Sequence, residues 1–281
     1  LINPKVLDAR TEITTKLLSD EGYAVAIKSD SSEENETFVS RDFEKKFFSD
    51  RTNHIFCKTF MENAIQDPIT GEIGKTLFFA VSQNHARKLT EILNEFADEL
   101  YPNKYNSDFA VQVTSQVNDA QQMTINFTNN NLNGRTNWVE GYKSSRTRVC
   151  VTVGMMTTGY DCPDLLNICM ARPIFSPTDF VQIKGRGTRK HTFEFKQRNE
   201  LDNNESIRYE KKFFKLFDFF ANCEYFEEKF DYDEKLKISK FKTTPSGGGD
   251  DRHIEKYTSL RPDPLLTMTV NDIGAEGMKI D

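Results

Sequence analysis

Short apolar runs recur along the middle of this chain with amphipathic segments between them, and that alternation restricts the fold more than any other feature. The runs are Leu77–Val81, Phe109–Val113, Val149–Val153, Ile168–Ala171 and Lys212–Phe217. A strand covered on both faces needs such a run, because successive side chains point to opposite sides and both sides meet apolar neighbours. Between the first two runs, Leu89, Ile92, Leu93, Phe96 and Leu100 fall on one face of a helix, with Pro102 beyond its end. Ala120, Met123 and Phe127 form a second helix face before the third run. Strands alternating with helices predict an α/β fold: a parallel sheet with helices on both faces.

The flanks read differently. Residues 1–74 are polar and, over Asp30–Glu36, acidic, which predicts a linker with solvated loops. Within them Phe43 and Phe47, then Ile55, Phe56, Thr59 and Phe60, recur at helical spacing and predict two short helices. Residues 75–230 hold the domain itself. Residues 231–281 read as a linker and tail, with Pro245-Ser246-Gly247-Gly248-Gly249-Asp250-Asp251 as the flexible joint. Asn129–Asn137 and Arg198–Glu205 are hydrophilic enough to be exposed loops. The 281 residues suffice for one large domain with such appendages.

Composition narrows the function classes. A net charge of −6 argues against a freestanding, non-specific nucleic-acid binder, so any DNA contact needs a local patch. No apolar run reaches the roughly 18–20 residues of a membrane helix, and the amino terminus carries no basic-then-apolar leader. Cys57, Cys150, Cys162, Cys169 and Cys223 include no C-x-x-C pair and read as buried thiols in a reducing compartment. His54, His85, His191 and His253 are scattered without metal-ligand spacing, so no metal site is expected. His191 joins a basic patch; the others read as surface residues.

In open parallel sheets, ligands bind beyond the carboxyl ends of the strands, which directs attention to two segments. One is Gly154-Met155-Met156-Thr157-Thr158-Gly159-Tyr160-Asp161-Cys162-Pro163. Its glycine and small hydroxyl residues let a loop approach a phosphate, and its carboxylate can receive a ribose hydroxyl or orient a cation. A simple turn has the same composition. The other begins Ser176-Pro177-Thr178-Asp179, a helix start with a serine cap, proline at the first position and an early acid. Gln182, Arg186 and Arg189 follow at spacings that place an amide and two guanidiniums along one helix face. A guanidinium meets phosphate oxygens bidentately and stays charged. With Lys184 and Lys190 beside it, the same string also reads as a solvated basic helix end.

Taken together, about twenty residues apart with a strand and Arg172-Pro173 between them, the two segments resemble motifs V and VI of superfamily 2 helicases and translocases. Thr76–Leu89 resembles motif IV. Within that superfamily, several strings resemble the motor (R) subunit of type I restriction enzymes. They are Asp8-Ala9-Arg10-Thr11, Asp67-Pro68-Ile69-Thr70-Gly71-Glu72-Ile73-Gly74-Lys75-Thr76 and Thr157–Pro163. Gln182–Arg189, Leu216-Phe217-Asp218-Phe219 and Gly274-Ala275-Glu276-Gly277-Met278-Lys279-Ile280-Asp281 complete the set. The resemblance implies a second RecA-like domain that completes an ATP site held mainly, with Mg2+, by a first motor domain not contained in these residues. It makes Arg189 the arginine finger and Arg186 its companion at the γ-phosphate. Gln182 would position these groups or the attacking water. Gly159 and Asp161 would face the nucleotide, and Ser82, Thr157 and Thr158 would lean towards the DNA backbone. The implied partners are double-stranded DNA, an N-terminal nuclease domain, and methyltransferase and specificity subunits in a prokaryotic cytoplasm.

Two decoys are set aside. Gly74-Lys75-Thr76 invites a phosphate-loop reading, but that pattern needs a glycine at Ile69 and a following helix, whereas a strand follows here. Pro163-Asp164 with Glu194 and Lys196 imitates a metal-nuclease string, though acid-x-Lys triplets are common in a chain this charged. Two other readings stay open: half of another superfamily 2 DNA or RNA helicase, and a non-catalytic RecA-like binding module. The arginines favour a motor over the module.

Overall fold

The computed structural model describes residues 1–10, 13–20, 48–136, 139, 141–157, 159–197, 205–227 and 230–236. Phe43, Phe47, Trp138, Thr158 and the expected linker and tail after residue 236 lie outside the described residues. Leu1–Lys235 is one compact unit.

Its frame is a seven-stranded sheet built from β1 (Pro4–Asp8), β2 (Thr76–Phe79), β3 (Ala110–Gln112), β4 (Val149–Thr152), β5 (Asn167–Met170), β8 (Phe214–Asp218) and β9 (Glu234–Lys235). The spatial order is β3-β4-β2-β5-β8-β1-β9, and every pairing is parallel. Each apolar run supplies a strand, with its ends shifted by a residue or two. The three central strands β4, β2 and β5 are buried at every position, as a sheet covered on both faces requires.

The helices are α1 (Thr15–Asp20), α2 (Asp50–Asn63), α3 (Gln83–Leu100), α4 (Ala120–Thr128), α5 (Pro177–Gly185) and α6 (Asn222–Phe226). Helix α3 buries Leu89, Ile92 and Leu93 of the expected face together with Ala97, while Phe96 and Leu100 are half-buried. Helix α2 presents Phe56 and Phe60 to the sheet, where they meet Phe219, Phe78 and Phe217 with ring centroids 4.4–5.7 Å apart. Such tilted and edge-on contacts suit the ring quadrupole and fill space densely. Among the described residues no helix is long and apolar enough to cross a membrane.

The amino-terminal segment contributes more than the expected linker. Strand β1 pairs with β8 from Pro4↔Phe214 to Asp8↔Asp218, burying Val6 and Leu7. An unexpected antiparallel hairpin, β6 (Thr192–Gln197) with β7 (Glu205–Glu210), stands apart from the main sheet. It sets Phe193 opposite Tyr209 and Phe195 opposite Ile207. The Asn-rich stretch is also less loose than an exposed loop. Leu132 is buried, and Asn130 and Asn133 adopt left-handed backbone angles while bonding Asp164 and Thr147.

All five cysteines are buried thiols. His85, expected at the surface, is wholly buried.

Candidate functional site

The 154–163 loop leaves the carboxyl end of β4 and travels back to the amino end of β5, so its two halves serve opposite edges of the sheet. Four strand residues span about 13 Å. Thr157 stays near the carboxyl edge, its amide and hydroxyl both donating to Gly154 O at 3.1 and 2.6 Å. Gly159 has φ +66°, a left-handed angle that side-chain-bearing residues rarely adopt, and it turns the chain towards Asp161. Beyond it Cys162 and Asp164 reach Lys75, the residue immediately before β2.

Helix α5 begins as its sequence dictates. Ser176 Oγ accepts from the Asp179 amide at 3.3 Å, and Pro177 occupies the first turn. It ends at Gly185, with Arg186 as C-cap, so Arg189 lies past the helix and not on its face with Gln182. Gly187 explains the close packing that follows. A Cβ there would sit 2.3 Å from the Phe214 ring at the start of β8, so only glycine permits this approach. The Thr188 carbonyl accepts from the Ile2 amide just ahead of β1.

Arg186, Arg189 and Asp161 therefore meet at the amino-terminal edge of the strands, contrary to the expectation of a carboxyl-end site for both segments. The reason is connectivity: loop and helix each run back along the sheet before their polar residues occur. Arg186 donates through Nη1 to the Tyr160 carbonyl and through Nε to the Gln182 carbonyl at 3.1 Å. Arg189 Nε lies 3.2 Å from Asp161 Oδ1, with side chains 57% and 60% exposed. So exposed a pair contributes about 0–1 kcal/mol, and Arg189 can exchange Asp161 for another anion at little cost. Burial, and then the neighbouring Arg189 charge, pushes Arg186 below its ordinary pKa, so an arriving anion would relieve both. Gln182 Oε1 is buried without a hydrogen-bond partner among the described residues.

Buried groups brace this corner. The Lys75 ammonium meets Asp164 at 3.0 Å and the Thr128 carbonyl at 3.1 Å, and Asn130 donates to Asp164 at 3.0 Å. Burial alone would raise the Asp164 pKa; the Lys75 charge outweighs it and holds the carboxyl below the usual range. Lys75 is thus a strut inside the domain and not part of a phosphate loop. Asp164 is likewise committed to that strut, while Glu194 faces Arg208 across the hairpin, so the nuclease-like string is not assembled. Among the described residues no group of three His, Cys, Asp or Glu side chains could hold a metal.

Ser82 stands at the other edge, after β2, and caps α3 by accepting from the His85 amide at 3.0 Å. His85 fixes this turn from beneath. Its Nδ1 accepts from the Val81 amide at 3.2 Å, which leaves Nε2 to donate to Asn53 Oδ1 at 3.0 Å. Burial lowers its pKa to about 3, so the ring is neutral. Asp218 does related work at the end of β8. It accepts from the Asn222 and Cys223 amides at 2.9 and 2.8 Å and from the Tyr232 hydroxyl at 3.1 Å, pinning the start of α6.

A parallel sheet flanked by helices, with an arginine-bearing helix end closed against a Gly-x-Asp loop, defines a class: an α/β domain of RecA-like architecture. The chain is homologous to the endonuclease subunit of the type I restriction enzyme EcoKI from Escherichia coli K12. It is 29% identical over 161 residues, 57% of this chain and 12% of that protein. A Saccharomyces cerevisiae protein described as an ATP-dependent helicase, IRC3, is 24% identical over 139 residues, 50% of this chain and 16% of that protein. No family model matches the chain. Among solved structures, a fragment described as an HsdR subunit of a type I restriction enzyme from Vibrio vulnificus YJ016 aligns with TM-score 0.44 and 20% identity. That alignment covers 84% of this chain and 36% of that one. The chain spans less than a fifth of the length of either of these curated relatives.

Proposed function

We propose that this chain is the second, arginine-finger-bearing half of the ATP-driven, DNA-translocating motor of a type I restriction endonuclease. The observation that carries the reading is the convergence of Arg186, Arg189 and Asp161 at one edge, with Arg189 exposed and, among the described residues, held by a weak ion pair. ATP and Mg2+ would be held mainly by a first motor domain, and ATP supplies the phosphoryl group whose charge the arginines stabilise. Arg189 acts as the finger, Arg186 as the companion contact and Gln182, with its unpartnered buried carbonyl, as the positioning amide. Gly159 and Asp161 border the nucleotide. An arginine finger accelerates phosphoryl transfer by about 10³–10⁵, or roughly 4–7 kcal/mol of barrier.

At the opposite edge Ser82 and Thr157 lean on the backbone of double-stranded DNA, and Thr158 takes the same role by its place in the sequence. Separating the two functions by the length of the strands suits a motor, because nucleotide at one edge then shifts the domain that grips DNA at the other. The assembly partners in this reading are the nuclease and first motor domains, the methyltransferase and the specificity subunit, in a prokaryotic cytoplasm.

The 281 residues alone supply no grip on the triphosphate and are therefore expected to lack ATPase activity. DNA-stimulated hydrolysis by the purified chain, above a mock preparation, would overturn the half-motor reading.

A further inference from the structure

Lys211 lies between β7 and β8, where a lysine ahead of a strand would ordinarily reach for water. Instead it is 6% exposed. Its Nζ donates to the Pro163 carbonyl at 3.0 Å and to the Gly187 carbonyl at 2.8 Å. Its backbone amide donates to the His191 carbonyl at 2.8 Å. These acceptors belong to the two segments that form the candidate site. Pro163 follows Asp161 by two residues, and Gly187 stands between Arg186 and Arg189.

Fold stability alone does not call for this arrangement. Burying an ammonium is costly, and a well-packed apolar side chain of similar volume commonly serves stability as well or better. What a lysine provides is three donors on one atom, enough to tie two carbonyls from segments far apart in sequence. The charge shortens and strengthens both bonds. Gly187, pressed on the Phe214 ring, brings its carbonyl within that reach.

We infer that Lys211 is a positioning residue, a single buried amine that sets the spacing between the Asp161 loop and the turn bearing Arg186 and Arg189. The inference rests on the motor reading for its consequence but not for its geometry. Displacing a phosphate-facing group by about 1 Å can cost up to roughly 10²-fold in rate. Loss of the strut therefore changes turnover and not the grip on ATP, which belongs to the first motor domain.

The test has two arms on Lys211→Met, with Ile92→Val in α3 as a control for a small packing loss remote from the corner. The first arm follows amide exchange in the 281-residue chain. The amides of residues 159–162 and 186–189 are expected to exchange about tenfold faster in Lys211→Met and at the parental rate in the control. The second measures steady-state ATP hydrolysis in the subunit carrying both motor domains. There kcat is expected to fall by about 10- to 100-fold with KM for ATP within about twofold. Unchanged exchange in both segments overturns the strut, and faster exchange with parental kcat overturns its positioning role. If Lys211→Met does not fold, Lys211→Gln replaces it in both arms. Its shorter amide reaches one carbonyl at most, so one segment loosens, and parental behaviour in both arms overturns the inference. A parent subunit without ATPase activity, or an unchanged rate in Arg189→Ala, would defeat the motor reading while the exchange arm still decides the strut.

Discussion

Arg148 and Arg189 both lie along the amino-terminal edge of the sheet, one just before β4 and the other beside the starts of β1 and β8, yet their surroundings are opposite. Arg148 is 1% exposed and its partner Asp67 4%. It donates to the Ile73 carbonyl at 2.7 Å and to Asp67 at 3.3 Å, and Asp67 also accepts from the Tyr142 hydroxyl at 2.7 Å. Glu72 extends the cluster, accepting from Thr136 at 2.5 Å and pairing with Lys104 at 3.1 Å. Burial alone would lower the Arg148 pKa; the Asp67 and Glu72 charges outweigh it. That guanidinium is committed to closing the Asp67–Thr76 turn against the sheet. Among the described residues Arg189 pairs with Asp161 alone, in water. The contrast teaches that two family-like strings in one domain serve different ends. The Asp67–Thr76 stretch builds the domain, whereas the Gln182–Arg189 stretch ends on an exposed guanidinium.

If that division is right, sealed groups should register in folding stability and open ones should not. The largest expected effect on stability is at Arg148. Arg148→Met leaves the buried Asp67 carboxylate without its cation and should cost about 3–5 kcal/mol in denaturant unfolding. A loss below about 1 kcal/mol would mean the cluster is not sealed in solution.

Next is His85, which is neutral in the fold with a pKa of about 3 against an ordinary 6.5. Because the folded pKa is depressed, the unfolded chain takes up a proton first as pH falls below 6.5. Stability from this group is present above that pH and is lost progressively on acidification towards 3. Between pH 6.5 and 5 the loss should reach about 2 kcal/mol. Comparing urea midpoints of the parent and His85→Gln across that window checks it, since the glutamine variant should show the smaller pH dependence.

The smallest effect belongs to Asp161. Asp161→Asn removes only an exposed pair and should shift stability by less than about 1 kcal/mol. A larger loss would place Arg189 and Asp161 with the structural charges and erase the contrast with Arg148.

The sequence is most legible where one residue type forces one outcome. The apolar runs, set between helical periodicities, read as interior strands, and Ser176-Pro177 with Asp179 reads as a helix start. Strand β1 was harder to read: Val6 and Leu7 are too few to mark a run, and its partner β8 lies more than two hundred residues away. The β6–β7 hairpin did have a signal, the alternation Phe193, Phe195 and Ile207, Tyr209, but the polar residues between the strands masked it. For the candidate site the sequence named the segments without their placement. Strand-end logic put both at the carboxyl edge, whereas the return paths of the 154–163 loop and of α5 carry Asp161, Arg186 and Arg189 to the opposite one. Lys211 and His85 were not legible at all. Each is buried because distant backbone groups supply its partners, and no local pattern encodes that.

The central claim is that the open arginine acts on chemistry and not on folding, and Arg189→Ala tests it most directly in the subunit carrying both motor domains. ATP binding, steady-state hydrolysis and thermal unfolding are measured beside the parent and beside Arg189→Lys. The account predicts a fall in hydrolysis of about 10³-fold or more for alanine. Lysine should rescue poorly, because an ammonium cannot reproduce the guanidinium fork at phosphate oxygens. Nucleotide binding should be little changed, and the midpoint should move by no more than about 2–4 °C. Hydrolysis within about threefold of the parent, a deficit under ~1 kcal/mol, would contradict it.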